Sequence, residues 1–160
     1  MMDCLVRRAK ECEAQELTAL ALRAKAAWGY AGEQLRQWAA ELSIGTELVR
    51  ENLCLVAERE GQIVGCAIVL KRSSEWILDA LWVEPNLFGQ GVGTRLLQDA
   101  AANARQEGAC RLTIDADPNA EGFYASRGAC TVARVAAPIA EDPARMRPQM
   151  VLGLVGGPSS

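Results

Sequence analysis

The stretch Leu81-Trp82-Val83-Glu84-Pro85-Asn86-Leu87-Phe88-Gly89-Gln90-Gly91-Val92-Gly93-Thr94 decides how this chain is read. It opens as the end of an apolar, strand-like run over 76–83. Pro85 stops that strand, because proline has no N–H for the ladder. Three alternating glycines follow. Beyond them an alanine-rich segment, 94–107, sets Leu96, Leu97, Ala100, Ala101 and Ala104 at helical spacing, and Gly108 ends it. A helix start exposes unpaired amides and the positive end of the macrodipole. Glycines let that backbone approach a ligand without Cβ interference. Together they make an anion cradle. The same residues also describe a plain loop with glycines at its turns.

Two familiar phosphate sites do not fit. A P-loop needs G-x-x-x-x-G-K-[ST], but Gly93 follows Gly89 by four residues and Thr94-Arg95 stands where the lysine belongs. A dinucleotide fingerprint needs G-x-G-x-x-G, and the sixth position is Thr94 counted from Gly89 or Leu96 counted from Gly91. The turn also comes after three strands, not after the first.

Outward from the turn, residues 3–8 read as a short edge strand, and 11–27 as a helix with Leu17, Leu20, Ala21 and Ala24 on one face. Trp28-Gly29-Tyr30-Ala31-Gly32 breaks it. A second helix is expected over 33–42, with Leu35, Trp38 and Leu42 on its apolar face; 43–51 is ambiguous. Apolar runs at 53–58 and 62–70 flank Arg59-Glu60-Gly61 and predict a hairpin. Strands are expected at 110–115, 129–136 and 149–154, a short helix at 119–127, and a loop at 137–148, which holds three prolines. The fold class is then α+β: a mixed, mostly antiparallel sheet of about six or seven strands, with about four helices covering it. One domain is expected over 1–155, with 156–160 as a loose tail.

The chain has 160 residues, of which 50 % are hydrophobic and 23 % charged, an ordinary globular composition for one domain. A net charge of −3 gives no electrostatic footprint for nucleic acid. There is no histidine. That excludes Ser-His-Asp and Cys-His relays, HExxH zinc sites and an imidazole base. None of the six cysteines forms a C-x-x-C pair, so no metal site is expected. Cys54, Cys66, Cys110 and Cys130 lie in strand-like segments and are expected as buried, reduced thiols. Met1-Met2-Asp3-Cys4 does not read as a signal peptide, and no apolar run reaches membrane-spanning length. A cytoplasmic location and no membrane or nucleic-acid partner are expected.

The segment Leu81-Trp82-Val83-Glu84-Pro85, then Phe88-Gly89-Gln90-Gly91-Val92-Gly93 and Leu96-Leu97, resembles the coenzyme A signature of the GNAT acetyltransferase superfamily. Asp117-Pro118-Asn119-Ala120 with Phe123-Tyr124 and Gly128-Ala129 is similar to its second motif, at matching distance. The resemblance covers 3–154. Residues 22–30 and Arg145-Met146-Arg147-Pro148 resemble features of a bacterial subgroup. Two departures stand out. The usual Arg or Gln opening the pyrophosphate motif is Phe88, with Arg95 as a compensating charge. Ala24 and Ala27 stand where the subgroup often carries Ser and His.

The resemblance implies acetyl transfer from acetyl-coenzyme A to a primary amine in a ternary complex. The cofactor would be held by Leu81, Trp82, Val83, Phe88, Gly89, Gln90, Gly91, Val92, Gly93, Thr94, Asn119 and Phe123. A backbone amide at Trp82 or Val83 would hold the oxyanion. By motif position Tyr124 matches the proton donor to the thiolate; by residue type alone it reads as an aromatic of the core. Asn119 matches a pantetheine contact, or serves as a helix N-cap. Asp79, in the strand at 76–83, is the best candidate base, weighed against a solvent-facing charge; Glu84 is the runner-up. Trp28 and Tyr30 would line the acceptor site or merely pack between helices. A homodimer through the last strands is implied. The alternatives are a non-catalytic acyl-coenzyme A-binding or regulatory module, use of a longer acyl group, and a structural domain. The acceptor amine, small molecule or peptide, is not named by these residues.

Overall fold

A computed structural model describes residues 3–73 and 75–154. Seven strands are hydrogen-bonded in the order β1-β2-β3-β4-β5-β7-β6, numbered along the chain: β1 Leu5–Arg8, β2 Leu53–Arg59, β3 Gln62–Lys71, β4 Trp76–Val83, β5 Arg111–Asp115, β6 Cys130–Ala136 and β7 Met146–Gly153. The helices are α1 Ala14–Ala26, α2 Gly32–Trp38, α3 Thr46–Glu51, α4 Val92–Gln106 and α5 Glu121–Ser126. The mixed α+β architecture therefore matches expectation. The expected tail, 156–160, lies outside the described residues. The chain forms two compact units, Met1–Val69 with Ala80–Ala100, and Leu70–Asp79 with Ala101–Ser160.

In the first unit β1, β2 and β3 are antiparallel. Arg59 pairs with Gln62, which leaves a two-residue loop with both φ angles positive, 54° at Glu60 and 79° at Gly61. That is a type I′ turn, whose twist matches the flanking strands. Leu53 to Ala57 are all buried, so β2 reads as a continuous apolar run, not an alternating one. On α1, Leu17, Leu20, Ala21 and Ala24 are buried, as their spacing predicts.

The second helix corrects the expectation. It ends at Trp38, and residues 39–42 form a turn; its buried residue is Gln34, not Leu35 or Leu42. Trp38 is drawn instead to Lys25, whose buried ammonium lies 4.6 Å from the Trp38 ring and 5.2 Å from that of Tyr30. The ambiguous 43–51 stretch contains α3.

In the second unit β4 runs parallel to β5 (Ile77 beside Thr113, Leu78 beside Ile114), and β7 lies antiparallel between β5 and β6. β7 begins at Met146, three residues earlier than expected. Pro148 lies inside it, opposite Arg134, and its carbonyl accepts from the Ala116 amide at 3.1 Å. Side-chain bonds from Arg147 and Gln149 to Asp115 carry the strand through the proline. Cys54 and Cys66 are buried as expected, but Cys110 and Cys130 are exposed. Cys110 only precedes β5, and Cys130 opens an exposed edge strand, so neither has a layer over it.

Candidate active site

In the first unit, β4 hands over to the glycine turn through a bond from the Glu84 amide to the Val64 carbonyl, 2.9 Å. Leu81, Trp82 and Val83 are half-buried there. Pro85–Leu87 forms one 3₁₀ turn, which the Phe88 amide closes on Pro85. Gly89 and Gly91 take φ of 79° and 92°, values that side chains rarely adopt. Space in front of Gly89 is open: a Cβ there would meet nothing within 4 Å. Gln90 bonds back to the turn, its amide to Leu87 and its side chain to the Asn86 carbonyl at 3.5 Å. α4 starts at Val92, two residues before the expected start, so Gly93 and Thr94 belong to its first turn. The open backbone and the start of a 15-residue helix fit a phosphate group.

What fixes this turn was missed in the sequence. Gly65 on β3 is buried, and a Cβ there would sit 2.9 Å from Leu96 Cδ1, 3.0 Å from the Trp82 carbonyl and 3.0 Å from Val92 Cγ1. Its bare backbone lets α4 lie close against β3. The only signal was a glycine inside an apolar strand.

Phe88 stacks on Trp28, centroids 5.9 Å apart and planes 25° apart, and each ring is more than a third exposed. Tyr30 meets Trp38 edge-on, ring centroids 4.8 Å apart. The two aromatics expected to line an acceptor site thus meet different rings. Arg95 donates to the Cys4 carbonyl at 3.1 Å and lies 3.5 Å from Asp99, so its charge is committed away from the glycines. Glu84 is held by Arg23 of α1 through an ion pair.

In the second unit, Tyr124 sits on α5, 5 % exposed and edge-on to Phe123 at 5.3 Å. Burial pushes its phenol well above the ordinary range; Arg147 opposes that push and Asp117 adds to it. It stays protonated at neutral pH, as a proton donor must. Phe123 carries the Arg127 guanidinium over its ring at 5.1 Å. Asn119 is not the cap of this segment. Asp117 is: its Oδ1 accepts from the Asn119 amide at 2.8 Å and from Asn119 Nδ2 at 2.9 Å. Its Oδ2 faces Arg145 Nη2 at 3.4 Å, with both side chains almost fully buried.

Asp79 is exposed on β4. Desolvation by its surroundings, and then the like charge of Asp115, hold its carboxyl above the usual range; Arg147 and Arg72 act against them. Asp115 in turn accepts from Arg147 Nε and Gln149 Nε2, each at 2.9 Å. Asp115, Asp117, Arg145 and Arg147 were not named as site residues from sequence. Their pairing depends on β7 reaching back to Met146, and the prolines concealed that.

Among the described residues no group of three or more His, Cys, Asp or Glu side chains could hold a metal ion, and no helix is long and apolar enough to cross a membrane. None of the curated proteins compared matches the chain. Solved structures do. A GCN5-related N-acetyltransferase from Rhodopseudomonas palustris is 26 % identical, with a TM-score of 0.80 over 96 % of this chain and 97 % of its own. The paia N-acetyltransferase of Thermoplasma acidophilum, solved with coenzyme A, is 17 % identical, with a TM-score of 0.77 over 95 % and 99 %. An aminoglycoside 6'-N-acetyltransferase complexed with coenzyme A is 16 % identical, with a TM-score of 0.72 over 96 % and 99 %. At these last two identities the likeness is one of fold. The acetyltransferase (GNAT) family model matches residues 16–129, which takes in the glycine turn, α4 and Phe123-Tyr124. The chain is therefore a transferase that belongs to the GNAT acetyltransferase family.

Proposed function

We propose that residues 1–155 act as one N-acetyltransferase domain that moves the acetyl group of acetyl-coenzyme A to a primary amine by direct attack. The observation that carries this is the glycine turn: two left-handed glycines, with open space before Gly89, opening a long helix. The turn, from Phe88 to Thr94, takes the pyrophosphate on backbone amides. Leu81, Trp82 and Val83 run beside the pantetheine arm, and an amide at Trp82 or Val83 receives the oxyanion. Asn119 and Phe123 contact the same arm. Asp79 takes a proton from the arriving ammonium, and Tyr124 gives one to the departing thiolate. Trp28 and Tyr30, on the break between α1 and α2, line the acceptor side. The acceptor is a small-molecule or peptide amine, the protein acts in the cytoplasm, and it needs no metal. A homodimer through the last strands is supported by edge strand β6, where Val132 is 65 % and Val135 45 % exposed.

The test is a thermal shift with acetyl-coenzyme A, coenzyme A, ATP and NAD in parallel. A ligand at 100 times its Kd adds about 2.7 kcal/mol, or roughly 5–11 °C for a chain of this size. A shift with the two coenzyme A species alone is expected. Loss of thioester absorbance is then screened over primary amines, with Tyr124→Phe as control. No shift with either coenzyme A species refutes the reading. Binding without turnover of any amine favours the non-catalytic module.

A further inference from the structure

The glycine turn is held firmly at its base and thinly at its tip. At the base, Val92 and Leu96 of α4 are buried and pack against Gly65. At the tip, Asn86, Phe88, Gly89 and Gln90 are exposed. The backbone bonds there are local: the Phe88 amide donates to the Pro85 carbonyl at 3.2 Å, and the Gln90 amide to the Leu87 carbonyl at 3.3 Å. Gly89 and Gly91, both left-handed, flank Gln90. Glycine loses more conformational freedom on ordering than any other residue, so a tip of this kind is costly to fix from within.

Trp28 supplies a tie from outside the turn. Its ring lies on that of Phe88, centroids 5.9 Å apart and planes 25° apart, within the range of an attractive aromatic pair. Trp28 is itself well placed. Its amide donates to the Lys25 carbonyl at 3.2 Å and the Gly29 amide to the Ala26 carbonyl at 3.1 Å, so the end of α1 carries it. Beyond it, Tyr30 is held edge-on to Trp38 at 4.8 Å, with the Lys25 ammonium 5.2 Å from its ring. Arg23, on the same helix, donates from Nε to Glu84 Oε1 at 3.2 Å. The end of α1 thus grips the turn at Glu84 and again at Phe88.

We propose that Trp28 is a positioning residue for the cofactor: stacked on Phe88, it holds the tip of the glycine turn in the shape that offers its amides to a diphosphate. Its effect on coenzyme A rests on the proposed function above, whereas its hold on the turn does not. A loose tip has to be ordered when a ligand arrives, and that cost comes out of the affinity. A tip already ordered by Trp28 avoids it. Where an arginine or glutamine would reach for the ligand itself, Phe88 instead gives α1 a surface to hold. A planar guanidinium also stacks on an aromatic face, so Phe88→Arg leaves the pair in place.

The experiment follows amide hydrogen exchange by NMR in ligand-free protein, and coenzyme A binding by calorimetry. The proteins are wild type, Trp28→Ala, Phe88→Ala, the double variant and Trp28→Phe. Loss of one aromatic pair shifts an opening equilibrium by about two- to twelvefold. In W28A the Phe88 and Gln90 amides are expected to exchange faster by that factor, and Kd for coenzyme A to rise by the same factor. The double variant is expected to be no worse than either single one, because each has already lost the stack. W28F, which keeps a ring, restores most of both. Should W28A not fold, Trp28→Leu takes its place, keeping apolar bulk without a ring face. Unchanged exchange at the tip, or a double variant in which the two effects multiply, overturns the Trp28 role alone. A wild type that binds no coenzyme A overturns the proposed function, and the exchange rates still decide whether Trp28 holds the turn.

Discussion

Gly65→Ala places one methyl carbon where the structure leaves no room. The new Cβ would lie 2.9 Å from Leu96 Cδ1, 3.0 Å from Val92 Cγ1 and 3.0 Å from the Trp82 carbonyl oxygen. Leu96 and Val92 are themselves 0 % and 1 % exposed, so neither can swing into solvent. The carbonyl sits on β4, which the Glu84 bond to Val64 ties to the same strand as Gly65. Relief therefore comes by lifting the start of α4. Overpacking of this kind costs about 1–3 kcal/mol. Loss of glycine freedom in the unfolded chain returns about 0.4–1 kcal/mol. The net loss is about 0–2.6 kcal/mol, or a fall in Tm of up to roughly 10 °C at about 2–4 °C per kcal/mol. Calorimetry measures it, with Gly153→Ala as control, since a Cβ there meets nothing within 4 Å. The same lift displaces the amides that open α4, so affinity for coenzyme A should fall along with Tm. A G65A protein as stable as wild type, with undiminished affinity, would refute this account of how the turn is held.

Tyr124→Phe should lower kcat about a hundredfold or more at unchanged Kd for coenzyme A, read by thioester absorbance. Arg145→Met leaves Asp117 buried without its ion-pair partner and should cost about 3–5 kcal/mol, a Tm loss of roughly 6–20 °C by calorimetry; a loss under 2 °C, by the same conversion, counts against it. Asp79 is raised in the folded state, so it binds its proton more tightly there than when unfolded, and stability falls as pH rises through that window. Asp79→Asn should accordingly raise Tm at neutral pH while leaving it nearly unchanged well below the carboxylate range, and should lower turnover. Cys12, Cys110 and Cys130 should react with a thiol reagent in the native protein, whereas Cys54 and Cys66, pushed by burial to about 11 and about 12, should not; mass spectrometry counts the adducts.

The architecture was legible because its signals are local. The limits of β4 match the expected 76–83, and Glu60-Gly61 announces its turn through residues that tolerate positive φ. The glycine turn was legible for the same reason. What stayed hidden depends on partners distant in sequence. Trp38 looks like one stripe of an apolar helix until Lys25 arrives beneath it from α1. Cys130 looks like core until β6 proves to be an edge. Arg145 and Arg147 sit among prolines that read as loop, and their aspartate partners lie 28 and 32 residues away. Asp115 ends β5 with Asp117 two residues beyond it, and Arg145 stands just ahead of β7 with Arg147 two residues on, a correspondence that no single segment displays.

Phe88 carries one more consequence, for salt. Where relatives of the motif usually place an arginine or glutamine, this chain has an apolar ring stacked on Trp28, and the nearby Arg95 is spent on Cys4 and Asp99. The attraction for a diphosphate then comes from peptide dipoles at contact distance. Mobile ions screen charges separated by about a Debye length, roughly 8 Å at physiological ionic strength, and do little to bonds made at van der Waals contact. Coenzyme A binding should therefore be nearly as tight in concentrated salt as in dilute buffer, and Phe88→Arg should make it tighter in dilute buffer and steeply sensitive to ionic strength.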